Sequence, residues 1–77
     1  MSAFETYVNQ AGEHVTKWES TKHPDNPNFM QTVYWIVWEK PDGRITICYH
    51  LGSGSKHVFV YGLTKNRVIE LYGPEYY

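Results

Sequence analysis

Seventy-seven residues with a single cysteine, a formal charge of −1 and 17% aromatic side chains make one small domain, held by large rings rather than by a disulfide framework. The near-neutral charge argues against a strong nucleic-acid footprint and against an acidic mimic of nucleic acid. No apolar run approaches the roughly 20 residues of a membrane span and no basic, apolar leader opens the chain, so the expectation is a soluble, cytoplasmic protein with Cys48 reduced.

The first predicted element is a helix over about 3–19. Phe4, Tyr7, Val8, Ala11, Val15 and Trp18 recur at spacings of three and four, and Ser2 with Glu5 fits a capping box. Gly12 is the weak point of this helix, costing about 1 kcal/mol against Ala. If the helix stops there, "EHVTKWES" starts a short extra strand. A loop follows over 20–32, where Pro24 and Pro27 remove donors and Asp25, Asn26 and Asn28 favour turns. Four strands are expected next, at about 33–40, 44–51, 57–63 and 68–72, joined by "PDG", "GSGSK" and "TKNR" as hairpin loops. The predicted fold is α+β, an N-terminal helix packed on a four-stranded antiparallel meander in one domain, 1–77.

Turn lengths predict the register. Pairing Lys40 with Arg44 around "PDG" sets Trp38 against Thr46 and Ile36 against Cys48. Pairing Leu51 with Lys56 sets His50 against His57 and Cys48 against Phe59. A "TKNR" hairpin sets Leu63 against Val68 and Tyr61 against Glu70. Since a slip of one residue exchanges the faces, these registers divide the side chains. One face carries Val33, Trp35, Val37, Ile45, Ile47, Tyr49, Val58, Val60, Ile69 and Leu71, and is expected beneath the helix. The other carries Tyr34, Ile36, Trp38, Arg44, Thr46, Cys48, His50, His57, Phe59, Tyr61, Leu63, Glu70 and Tyr72.

A single helix cannot cover both sides of such a sheet. The second face then awaits another copy of the chain, a different partner, a stacked ligand, or the chain's own loop (Phe29, Met30) and "YGPEYY" tail. A contiguous apolar patch of this kind marks an interaction site, and Trp, Tyr and Arg are what interface centres favour. The expected binding residues are Tyr34, Trp38, Arg44, His50, His57, Phe59, Tyr61 and Glu70, with Trp38 as anchor and Arg44 and Glu70 as a polar rim.

Other chemistry has weaker sequence support. Cys48, His50 and His57 share a face and could begin a zinc site, but a structural site wants four ligands and no CxxC or HxxxH spacing exists. The same Cys48–His50 pair read as nucleophile and base lacks a strained turn and an oxyanion hole, so no catalytic residue, metal or cofactor is assigned. "GSGSK" lacks the phosphate-loop spacing and is followed by a strand pattern. Tyr34, Trp38, Phe59 and Tyr61 could stack the bases of a single-stranded nucleic acid, with Lys40, Arg44, Lys65 and Arg67 near the ends of the platform, although the aromatic–glycine signature of RNA-recognition sheets is missing. The leading expectation is a non-enzymatic protein-binding module, an inhibitor or adaptor acting through the second face, alone or as a homodimer. Single-stranded nucleic-acid binding is the alternative.

Overall fold

The computed structural model describes residues 4–24, 28, 32–52 and 56–74 of the chain. Its elements are β1 (Glu5–Val8), β2 (His14–Ser20), β3 (Val33–Glu39), β4 (Ile45–Leu51), β5 (Val58–Val60) and α1 (Lys65–Tyr72). The strands form one five-stranded antiparallel sheet in the order β1-β2-β3-β4-β5. The expected N-terminal helix on a four-stranded sheet is therefore overturned. The N-terminal segment is a hairpin, and the only helix among the described residues lies near the other end of the chain.

The reason lies at Asn9–Glu13. Asn9 N–H donates to the Glu13 carbonyl (3.0 Å) and Gly12 N–H to the Asn9 carbonyl (3.0 Å), with Gly12 at φ +80°. Asn9 Oδ1 also accepts from the backbone N–H of Ala11 (3.1 Å) and Glu13 (2.9 Å). A positive φ suits glycine and ends a helix. The "PDG" turn repeats the pattern: Lys40 N–H to Arg44 O (2.8 Å), Gly43 N–H to Lys40 O (2.9 Å) and Gly43 at φ +92°. Both are three-residue hairpin turns closed by a glycine bulge. The supposed helical stripe is instead made of cross-strand neighbours. Tyr7 pairs with Val15, and Phe4 meets Trp18 edge to face at 5.6 Å. Of the expected capping box, Glu5 begins β1 and Ser2 lies outside the described residues.

Residues 68–72, expected as a strand, belong to helix α1. Gly62, at φ +83°, turns the chain off β5. Thr64 then caps α1, its side-chain oxygen accepting from Arg67 N–H (3.1 Å) while Val68 N–H donates to the Thr64 carbonyl (3.0 Å). The pairings of Leu63 with Val68 and Tyr61 with Glu70 do not form. The helix ends at Gly73, whose N–H donates to the Ile69 carbonyl at 2.8 Å. A Cβ at Gly73 would run into that same oxygen, and Pro74 follows.

The registers expected from "PDG" and for 47–49 against 58–60 do form: Trp38 opposes Thr46, Ile36 opposes Cys48, and Cys48 opposes Phe59. The aliphatic face accordingly carries Val33, Trp35, Val37, Ile47 and Tyr49, and α1 covers it with Val68. Trp35 is the centre of this core, fully buried between Trp18 (ring centroids 5.9 Å apart, 8° between planes) and Tyr72 (5.1 Å, 9°). Trp18 Nε1 donates to the Tyr72 carbonyl at 2.8 Å, binding β2 to the end of α1. Lys65 reaches Glu39 Oε1 at 2.7 Å at the other end of the helix.

Candidate functional site

The candidate surface is the face of the sheet opposite α1, built of cross-strand rows. One row runs Glu19, Tyr34, His50; the next runs Glu5, Lys17, Ile36, Cys48, Phe59; the third runs Tyr7, Val15, Trp38, Thr46. Period-two geometry fixes these side chains on one side, because their neighbours Trp18, Trp35 and Tyr49 are in the core.

The floor of this surface is buried and its upper parts are open. Val15 and Cys48 are buried, Tyr34, Ile36 and Trp38 are half-buried, and Phe59 and Tyr7 stay 49% and 41% exposed. Lys17 Nζ stands 5.4 Å from the centre of the Tyr7 ring, holding that ring at the β1 margin. Tyr34 and His50 stack at 5.2 Å with 17° between their planes, and His57 meets His50 at 4.8 Å. Gly52 makes room for this row, since a Cβ there would come within 3.1 Å of the Tyr34 ring. His50 Nδ1 lies 3.1 Å from the Leu51 carbonyl, a contact that needs the proton on that nitrogen.

Of the residues expected to bind a partner, Tyr34, Trp38, His50 and Phe59 lie together on this face, with His57 beside His50. Tyr61 sits just past β5 and is 84% exposed. Arg44 lies at the edge of the face, its Nε held by Asp42 Oδ2 at 2.7 Å. Glu70 does not join them: it is on α1, across the sheet, paired with Arg67 at 2.6 Å. Tyr72, expected on the second face, stacks on Trp35 instead. That part of the expected "YGPEYY" cover therefore lies on the core side; Phe29, Met30 and residues 75–77 lie outside the described residues. The sequence reading missed Tyr7, Val15 and Lys17, because it placed them on a helix. No alternation marks them, since the apolar Val15 and Trp18 of "HVTKWES" are three apart and fall on opposite faces of β2; the one signal is the turn spacing of Asn9 and Gly12.

Burial pushes the Cys48 thiol above its ordinary value, which keeps it protonated at neutral pH. A buried, protonated thiol is the opposite of an activated nucleophile. Among the described residues no group of three or more His, Cys, Asp or Glu side chains is placed to hold a metal ion, and no helix is long and apolar enough to cross a membrane. Comparison of the chain with protein-family models, curated proteins and solved structures finds no match.

Proposed function

We propose that this chain is a non-enzymatic protein-binding module that docks through the second face of its sheet, as an inhibitor or adaptor of a larger protein. The observation that carries this reading is the one-sided cover: α1 packs on one face, while Phe59 and Tyr7 remain about half exposed on the other. Trp38 is the anchor, with Tyr34, His50, His57 and Phe59 around it and Arg44 and Tyr61 at the margin. Glu70 leaves the set, because it belongs to α1. The fitting partner presents an apolar projection ringed by polar groups. The face is mostly aromatic and apolar along β3–β5, broken by Thr46 and His50, and carries Glu5, Lys17 and Glu19 along β1 and β2. The buried free thiol of Cys48 suits a reducing, cytoplasmic setting.

The nucleic-acid alternative has less support. Arg44, Lys65 and Arg67, three of the cations it needs, pair with Asp42, Glu39 and Glu70. Lys65 and Arg67 also belong to α1 rather than to the aromatic platform.

The test is affinity capture from the native host with three baits: wild type, a folded Trp38→Ala/Phe59→Ala variant and an Arg67→Ala control on α1. The captured protein is then titrated against each bait. The reading expects the double variant to lose about 2–4 kcal/mol of binding and the control to keep it. Equal affinity for all three baits overturns the reading. So does salt-sensitive binding of a short single-stranded oligonucleotide that is lost with the same aromatic pair.

A further inference from the structure

The edges of the sheet carry an inference that goes beyond the docking face and does not rest on it. Hydrogen-bonded and non-hydrogen-bonded pairs alternate along an antiparallel ladder. The Lys40–Arg44 pair is hydrogen-bonded at the turn, so Trp38–Thr46 and Ile36–Cys48 are too. Cys48 therefore spends its N–H and C=O on β3, whereas Ile47 and Tyr49 turn theirs toward β5. It follows that Val58 and Val60 bond to β4, and that Phe59 points both its N–H and its C=O away from the sheet. Among the described residues neither group has a partner.

This edge lacks the usual protection. Proteins blunt free edges with charged residues, proline or bulges. Val58, Phe59, Val60 and Tyr61 include no charge and no proline, and Val58, Phe59 and Tyr61 are 43%, 49% and 84% exposed. The opposite edge, β1, begins with Glu5.

We propose that β5 pairs antiparallel with β5 of a second copy of this chain, about a two-fold axis at Phe59. The occupant follows from self-complementarity, which an isologous contact demands. With Phe59 opposite its own mate, the two residues exchange both outward hydrogen bonds. Val58 then faces Val60 of the partner subunit, and His57 faces Tyr61 of the partner subunit. No pair sets like charges against each other, and Lys56 falls opposite a glycine, Gly62 of the partner subunit. The two sheets become one of ten strands, and the two second faces become continuous. Because each β5 has only three residues, the interface is small and the dimer is concentration-dependent.

Sedimentation of the wild-type chain across a concentration series, combined with amide hydrogen exchange, tests this. The expected result is a rise from one to two chains per particle, with the Phe59 amide becoming protected only as dimer forms. The Val58 and Val60 amides, bonded to β4, are protected at every concentration. Val58→Lys is expected to weaken association tenfold or more, and Trp38→Ala to leave it unchanged. A chain that stays monomeric up to about 1 mM overturns the proposal. So does a dimer whose Phe59 amide exchanges freely, or one indifferent to Val58→Lys. None of these outcomes bears on docking through Trp38.

Discussion

Two tryptophans with similar burial do different work. Trp18 and Trp35 stack in one core, yet Trp18 Nε1 donates to the Tyr72 carbonyl, whereas the buried Trp35 Nε1 has no hydrogen-bond partner among the described residues. A buried donor without a partner costs on the order of 1–3 kcal/mol, so the rings around Trp35 must outweigh that loss. Trp35→Phe removes the unpaired donor along with some area, while Trp18→Phe orphans the Tyr72 carbonyl. Denaturant melts are expected to show Trp18→Phe as the more destabilising by about 1–3 kcal/mol; the reverse order would refute this assignment of the two indoles. Cys48 offers a second test at this scale. Its thiol is held protonated by burial, and the unfolded chain releases that proton first once pH passes the ordinary thiol value. The contribution is thus fully present below that pH and lost as pH rises toward the folded value. Wild type is expected to lose stability above about pH 9 relative to Cys48→Ala. Equal slopes for the two proteins would mean that the thiol is not desolvated.

Among the elements, the two glycine-closed turns explain what the sequence shows and what it hides. "PDG" announces itself through Pro41 and Asp42, and the register it implies runs correctly through β3 and β4. "QAG" has the same geometry without those residues. Its only mark is Asn9 three positions before Gly12, the spacing of Lys40 and Gly43. The apolar residues on either side also match a helical period, so the pattern alone favours the wrong element. Gly12→Ala separates the two readings by sign. A helix would gain about 1 kcal/mol from Ala, whereas a turn at φ +80° is expected to lose about 1–2 kcal/mol. The α1 signals were also present, with Thr64 before the helix and Gly73-Pro74 after it, but Val68–Tyr72, with its Val, Ile and Tyr, reads equally well as a short strand. Thr64→Ala is expected to cost about 1 kcal/mol through the lost cap. A strand at that position would not register the change.

For the whole molecule, the decisive quantity is the ratio of layers to faces. A five-stranded sheet has two sides, and one helix of eight residues seals only one of them. The division of side chains between those sides was legible from 33 to 60, because turn lengths fix register there and each residue's face follows from register. Which segment supplies the helix was not legible, because cover depends on where the chain returns in space. The same logic makes edge and face two independent surfaces: self-pairing at β5 would lengthen the exposed face without covering Trp38. Hydroxyl-radical footprinting of the dilute, isolated chain measures the one-sided cover most directly. Phe59 and Tyr7 are expected to be modified readily and Trp38 at an intermediate rate, with Trp18 and Trp35 protected. Protection of Phe59 and Tyr7 equal to that of Trp35 in a monomer would contradict the account, since the second face would then already be closed.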